Sequence, residues 1–313
     1  MDWKNVLYVC YNQNISQYVK NIFAHESVNV NVSTLHSLMM ETCKEEWSPN
    51  KGALYFSQEL PKRFLAKDKH IKYDLVVIDE GQDLLNQTYL NCLDVLVRGG
   101  LAGGRWSIFY DPNQNLFNSQ SELITVLPLL NKISAKYTLT VNCRNTKQIA
   151  NANTLMTNIQ QVSRIKASGP HVEYSGYSSL AEELSLVIKQ LRVIKNEGVS
   201  SGEIVLLSVY NADNPRCCLS YGKIPSDCGK IKMDLLWQAR KNDLRFATVS
   251  SFKGMEAKIV ILLDVDSFVD EQRRLLNYVA ISRASAALYV FYNNAAEEER
   301  QKMLAAGYPK LVQ

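Results

Sequence analysis

The sequence predicts an α/β protein of two domains, each a mainly parallel sheet flanked by helices. Three observations carry that expectation. Short β-branched apolar runs alternate along the chain with helix-length amphipathic segments, the pattern of strand–helix–strand units. Residues 75–79 are apolar at nearly every position, as in a strand covered on both faces. A chain of 313 residues also exceeds what one hydrophobic core usually supports.

Residues 5–11 (NVLYVCY) read as a buried strand by length and β-branched content, and a helix follows over about residues 15–23. Residues 28–32 alternate with polar positions and read as a second strand, after which Ser33-Thr34 offers hydroxyl caps to a helix. Residues 44–57 are polar and expected as loop, with a helix around 58–67. Residues 75–79 form the third strand, 87–98 a helix ending in Gly99-Gly100, and 106–110 the next strand. A second series runs through a strand at 137–141, a helix from Thr146, a strand near 172–174 and a helix at 179–196. Strands at 204–209, 246–249, 259–264 and 288–292 complete it. The boundary is expected between Asn131 and Tyr137, giving domains 1–136 and 137–313. Residues 211–230, rich in Pro, Gly and Cys, read as a surface insertion, and no repeat, heptad or low-complexity tract occurs.

Hydrophobic residues at 46% and charged residues at 21% describe an ordinary globular composition. A formal charge of +4 allows nucleic-acid binding without arguing for it. The seven cysteines are scattered except for Cys217-Cys218, followed by Cys228; Cys-Cys-x9-Cys with no histidine nearby does not match a zinc framework. The odd count reads as reduced thiols, the N-terminus lacks a signal-peptide layout, and no apolar run approaches the ~18 residues of a membrane span. A cytoplasmic protein with no membrane partner is expected.

The chemistry concentrates in Val76-Val77-Ile78-Asp79-Glu80-Gly81-Gln82-Asp83. Asp79 and Glu80 fall at the carboxyl edge of a parallel sheet, the ligand edge of such folds. An aspartate there can hold Mg²⁺, and a glutamate can take a proton from an attacking water. The plain alternative is a solvated acidic pair, which the following Gly-Gln-Asp disfavours. Asp111-Pro112-Asn113-Gln114 after the next strand is a turn sequence, whose glutamine can also orient a water or sense a phosphate. Arg144, after Asn142-Cys143, and Arg283 can act as arginine fingers or serve as surface ion-pair residues. The stretch 248–256 (TVSSFKGME) offers hydroxyls to phosphates and a glycine for close approach, or is a polar loop with a turn glycine. The partner expected of such an Asp-Glu strand is G-x-x-x-x-G-K-[ST], but Gly222-Lys223 and Gly229-Lys230 are the two Gly-Lys pairs and Ile follows each.

Taken in order, these segments resemble the UvrD/Rep-type superfamily-one helicases, a class of P-loop NTPases. Residues 8–12 with the helix after them are similar to motif Ia, TLHSL at 34–38 to motif Ic, LVVIDEGQD to motif II and FYDPNQNLF to motif III. LTVNCRN resembles motif IV, TVSSFKGMEAKIVIL motif V and NYVAISRA motif VI, so the likeness runs from about residue 5 to 292. Each motif is weak alone, and their correct order gives the signal its weight. The resemblance implies two RecA-like domains, Mg²⁺ and ATP as cofactors, and single-stranded nucleic acid, with DNA favoured, as partner. It implies Asp79 for Mg²⁺, Glu80 as general base, Gln114 sensing the γ-phosphate, and Arg144 and Arg283 as fingers. Gln82, Gly254 and Glu256 would approach the nucleotide. Asn12, Thr34, His36, Phe117, Thr248 and Ser250 would line the single-strand track. Phe117 is either a stacking residue, at ~1–3 kcal/mol per base, or a core phenylalanine.

The departures shape the functional expectation. The family's phosphate loop lies upstream of motif Ia, and four residues precede Asn5 here. The first domain is therefore expected to be truncated, without its first strand, phosphate loop and helix. The chain alone is expected to be inactive in ATP hydrolysis, lacking a lysine and amide nest for the β- and γ-phosphates. The sheet edge left by the missing strand is expected to take a partner or to self-associate. Short spacings between motifs leave little room for accessory subdomains, and Tyr110 stands where many members carry glycine. The alternative is a non-catalytic nucleic-acid-binding or regulatory protein with a helicase-like fold. A nuclease has little support, because no second acidic cluster suggests a two-metal site.

Overall fold

The computed structural model describes residues 5–24, 29–48, 50–114, 120–160, 164–165, 167–233, 239–240 and 242–312. The chain divides into two compact units, Met1–Tyr137 and Thr138–Gln313.

Unit 1 runs β1 (Val6–Cys10), α1 (Gln13–Phe23), β2 (Val30–Thr34), α2 (Leu35–Cys43), α3 (Leu60–Leu65), β3 (Leu75–Ile78), α4 (Gln87–Leu96), α5 (Gly100–Gly103), β4 (Trp106–Ile108) and α6 (Gln120–Asn131). Among the described residues its strands form one four-stranded sheet in the order β2-β1-β3-β4, every pair parallel. Tyr8 stands opposite Val32 on one side and Val77 on the other, so the first strand of the chain is interior. The edges are β2 and β4. Leu7, Val9, Val76 and Ile78 are fully buried and share a core with Leu35, Met39, Leu60, Phe64 and Leu93. Side-chain caps start the helices: Asn12 accepts from the Asn14 amide at 2.7 Å, Thr34 from Ser37 at 3.1 Å and Asn86 from Tyr89 at 2.8 Å.

Two expectations for this unit are corrected. The polar stretch before residue 58 is not all loop, because a wide helical turn at Tyr55–Glu59 leads into α3. Glu45 holds that segment by accepting from Lys51 and Arg63, each at 2.8 Å, and from the Tyr55 hydroxyl. Helix α4 stops two residues early: Val97 turns extended and bridges Tyr73, and Gly99 and Gly100 follow at φ +89° and +69°. Helix α6 was not anticipated. Leu123, Val126 and Leu130 face inward, but Ile124 and Leu129 are exposed and Pro128 interrupts, which blurs its period.

Unit 2 runs β5 (Val141–Asn142), α7 (Lys147–Thr157), β6 (Arg164–Ile165), β7 (Glu173–Tyr177), α8 (Leu180–Asn196), β8 (Ile204–Ser208), β9 (Lys230–Lys232), β10 (Asp243–Thr248), β11 (Ala257–Val265), α9 (Glu271–Ser282), β12 (Ala284–Asn293) and α10 (Glu297–Val312). Among the described residues the main sheet has six parallel strands in the order β7-β12-β11-β8-β10-β9, and β5 pairs with β6 apart from it. Strand β8 is buried at every position, as expected of a central strand covered on both faces. Ser179 caps α8 through the Glu182 amide at 3.2 Å, and Asp270 caps α9 through the Arg273 amide at 2.9 Å.

The expected strand at 137–141 is reduced to Val141-Asn142. Tyr137 and Leu139 are 90% and 74% exposed, so the apolar alternation there meets no sheet. Residues 211–230 are not a surface insertion: Cys217, Cys218 and Cys228 are fully buried and join Ile224 in the unit's core. The cysteines act as small apolar side chains, while Pro and Gly make the turns between them. Helix α10 was also unforeseen. No helix of the described residues is long and apolar enough to cross a membrane.

Candidate functional site

At the end of β3 the backbone turns sharply. The Asp79 amide donates to Val9 O at 2.9 Å, Glu80 takes a left-handed conformation at φ +51°, and the Gly81 amide donates to Phe109 O at 2.8 Å. Position 81 is held to glycine by crowding, since a Cβ there would stand 2.5 Å from Ile108 Cγ2 and 3.2 Å from Phe109 O. The turn leaves Asp79 and Glu80 half-buried at the carboxyl edge of the sheet and buries Gln82 and Asp83 beneath them.

A line of polar contacts joins this turn to the end of β4. Gln82 Nε2 donates to Glu80 Oε2 at 2.6 Å, and Gln82 Oε1 accepts from the Asp111 amide at 3.0 Å. Asp111 Oδ2 accepts from Gln114 Nε2 at 2.8 Å, and its Oδ1 accepts from the Asn113 amide at 2.9 Å. Four residues singled out in the sequence, Glu80, Gln82, Asp111 and Gln114, are thus brought together. Asp79 accepts from the Glu80 amide at 2.9 Å through Oδ1 and from the Tyr8 hydroxyl through Oδ2. Burial and then the Asp79 carboxylate push the Tyr8 phenol far above its ordinary range, so it stays a donor. Burial and then Asp79 also raise the Cys10 thiol to about 12. Tyr8 was missed in the sequence; a lone aromatic hydroxyl in the apolar strand that becomes a neighbour of β3 was its only signal.

The carboxylate oxygens of Asp79 and Glu80 are hard donors at a half-exposed edge, and such donors suit Mg²⁺. Asp79 would hold the ion, which would supply charge for phosphate oxygens. The residues at this edge do not fit a triphosphate equally well, because the sequence offers no lysine-bearing glycine loop for it.

Also in unit 1, a cavity of about 700 Å³ is lined by Tyr11, Thr34, His36, Trp47, Phe56 and Tyr89 among others. The His36 ring meets Tyr11, Phe56 and Tyr89 edge-on at 5.4 Å each, and its Nε2 lies 2.8 Å from the Tyr89 hydroxyl. Burial lowers its pKa to about 4, so the imidazole is neutral at pH 7. Thr34 lies in the lining, and its hydroxyl also caps α2. Asn12 is committed to the cap of α1, while its neighbours Tyr11 and Gln13 line the cavity. Among the described residues the lining holds no lysine or arginine. Phe117 lies outside the described residues.

In unit 2 the turn-rich stretch between β10 and β11 carries Thr248, Ser250, Gly254 and Glu256. Thr248 Oγ1 accepts from the Ser251 amide at 3.2 Å, and Gly254 adopts φ +79°. Ser250 is half-buried on the same turn. Arg144 Nε donates to Glu256 Oε2 at 2.9 Å in an exposed ion pair. Arg144 is positioned by Asn142, whose Oδ1 accepts its amide at 3.0 Å, and by Asn145, whose Nδ2 donates to Ser282 O at 3.2 Å and Ala284 O at 2.6 Å. Asn145 had not been singled out, and a buried amide next to a charged residue leaves little trace in a sequence.

Arg283 is 1% exposed. Its guanidinium donates to Val279 O at 3.2 Å, Met255 O at 3.3 Å and Ser282 Oγ at 2.9 Å. It therefore ties the end of α9 to the stretch before β11, with its head engaged by carbonyls rather than turned to solvent.

Residues 243–291, from β10 into β12, match the family described as the UvrD-like helicase C-terminal domain. This is a small part of the chain. No curated protein matches it. Among solved structures, the C-terminal domain of a possible DNA helicase from Lactobacillus plantarum WCFS1 is similar over 49% of this chain and 88% of that one. The identity is 16% and the TM-score 0.34, too loose a likeness to fix the fold.

Proposed function

We propose that this chain is part of a UvrD/Rep-type helicase or translocase, made of two RecA-like units that engage single-stranded nucleic acid, with DNA favoured. The observation that carries the reading is the hydrogen-bonded line Glu80–Gln82–Asp111–Gln114 linking the ends of two neighbouring parallel strands. Such a line couples a water-activating carboxylate to a glutamine that can sense its ligand. The match of residues 243–291 to a helicase C-terminal domain supports the same reading from the other unit. In the proposal Asp79 holds Mg²⁺, Glu80 is the general base, and Arg144 with Glu256 faces the nucleotide.

The cavity around His36 gives the nucleic-acid part its chemistry. Aromatic walls with amides and hydroxyls, the carboxyls of Asp83 and Glu122, and no cation in the lining among the described residues suit an uncharged base better than a phosphate. The second reading is a nucleic-acid-binding protein without hydrolysis. The absence of G-x-x-x-x-G-K-[ST] from these 313 residues favours it for the chain taken alone.

One titration separates the two: a fluorescent ATP analogue with Mg²⁺, with and without a single-stranded oligonucleotide. Salt-sensitive oligonucleotide binding without nucleotide binding is the expected result. Nucleic-acid-stimulated hydrolysis abolished by Glu80→Gln would overturn the inactive reading and keep the helicase one. Binding of neither ligand would sink both.

A further inference from the structure

The core of unit 2 holds a polar cluster that the nucleotide reading does not use. Cys217, Cys218 and Asp264 are each 1% exposed or less, and their ligand-capable atoms all lie within 4.8 Å of one another. Asp264 comes from β11, 46 residues beyond Cys218, and takes φ +57°, which points its carboxylate into the cluster. Its Oδ1 accepts from the Cys218 amide at 2.8 Å and its Oδ2 from the Ser208 hydroxyl. Glu183, in the first turn of α8 and fully buried, accepts from the Asp264 amide at 2.7 Å through Oε1. Its other oxygen, Oε2, is buried with no hydrogen bond of standard geometry, although the carboxyl also interacts with the Tyr177 hydroxyl.

This arrangement is incomplete as it stands. Two carboxyls and two thiols meet inside an apolar core containing Leu184, Val187, Leu206 and Ile261. A native core rarely leaves a carboxylate oxygen unpaired, and such an atom calls for an explanation. The donor set itself supplies one. Two sulfurs and two carboxylates on three separate segments are the ligands a borderline-soft divalent cation prefers, whereas Mg²⁺ and Ca²⁺ take oxygen alone.

We propose that Cys217, Cys218, Asp264 and Glu183 form a closed structural site for a divalent cation of the zinc class. Around one zinc, with bonds of about 2.3 Å to sulfur and 2.0–2.2 Å to oxygen, ligand atoms stand about 3.4–3.8 Å apart. The limit of 4.8 Å holds for Cys217, Cys218 and Asp264, whose ligand atoms close to that range by side-chain rotation of about an ångström; Glu183, hydrogen-bonded to the Asp264 amide beside them, would swing in as the fourth ligand. The bound ion would fasten residues 211–230 to β11 and α8, replacing the thiol protons on the two cysteines. Spacing alone could not reveal the site, because Asp264 and Glu183 lie 81 residues apart and neither neighbours the cysteines in sequence.

The test uses the full chain stripped with a chelator and titrated with Co²⁺ and Zn²⁺. The expected result is one equivalent per chain, with a thiolate-to-cobalt charge-transfer band and the visible bands of a four-coordinate ion, displaced by Zn²⁺. Cys217→Ser with Cys218→Ser should lose the charge-transfer band, whereas Cys228→Ser should keep it. Glu183→Gln is nearly isosteric, so it should fold and bind at least tenfold more weakly. Substoichiometric uptake by the folded wild-type chain, a band that survives the double serine variant, or unchanged affinity in Glu183→Gln would each overturn the proposal.

Discussion

Glu80 and Asp264 share a backbone device and little else. Each is an acidic residue in the left-handed region near the carboxyl end of a parallel strand, at φ +51° and +57°. Glu80 is half-buried and reaches Gln82 on the open edge of unit 1. Asp264 is 1% exposed, and residues 211–230 close over it. A strained acidic turn thus does not specify a reactive site. The segment that follows or covers it decides whether the carboxylate meets water or is sealed among thiols and another acid.

The largest effect tests sealed against open within unit 2. Arg283→Ala leaves Val279 O and Met255 O without their donor and opens a cavity, so it should lower stability by about 3 kcal/mol or more in urea denaturation. Arg144→Ala removes only an exposed ion pair and should cost less than about 1 kcal/mol. Similar losses for the two would break the contrast.

His36 tests whether unit 1 is open throughout. Its folded pKa of about 4 lies below the ordinary 6.5, so the folded state binds fewer protons between those values. The stability is present above pH 6.5 and is lost as pH falls toward 4, by about 3 kcal/mol in all. Comparing urea midpoints at pH 7 and pH 4.5 in wild type and His36→Phe measures it; an equal fall in both would mean His36 is not its source.

Gly81→Ala comes next. The added Cβ meets Ile108 and Phe109, and the strain should cost about 1–3 kcal/mol while displacing Glu80. Unchanged stability would show that β4 gives way easily. The smallest effect is the sharpest, because the same change of residue type should separate the two sites. Glu80→Gly relieves the left-handed strain but removes an acceptor of buried Gln82 Nε2, so the two effects should nearly cancel, to within about 1 kcal/mol. Asp264→Gly gains the same relief but strands both Ser208 and the Cys218 amide, so it should come out more destabilised, by about 1 kcal/mol or more. Equal losses would end the comparison.

Much of the architecture was legible because central strands such as 204–208 and 259–264 are apolar at nearly every position, and because the chain shows Thr34 as a hydroxyl cap and Thr146 and Ser179 as helix starts, which the structure turns out to cap in the same way. The Asp79–Gln114 group was legible as well, since each member follows a strand by a few residues. What escaped depends on contacts distant in sequence. Tyr8 reaches Asp79 across 71 residues, and the burial of Cys217 and Cys218 depends on partners from α8 and β11. Tyr137 and Leu139 misled in the opposite sense, because an alternating apolar run predicts a strand only if a sheet edge awaits it.

The strand order of unit 2 has a consequence for how the protein is made. Among the described residues strand β7 joins the sheet through β12 alone, with Tyr177 pairing Asn293, and β11 stands between β12 and β8. The strands that unite the sheet therefore leave the ribosome last. At ~5–20 residues per second, the nascent β7 waits on the order of ten seconds for its partner. Throughout that interval its unpaired edge is open to any extended chain, so chaperone dependence during synthesis should track this unit, and a nonsense codon before residue 284 should leave no foldable remnant of it.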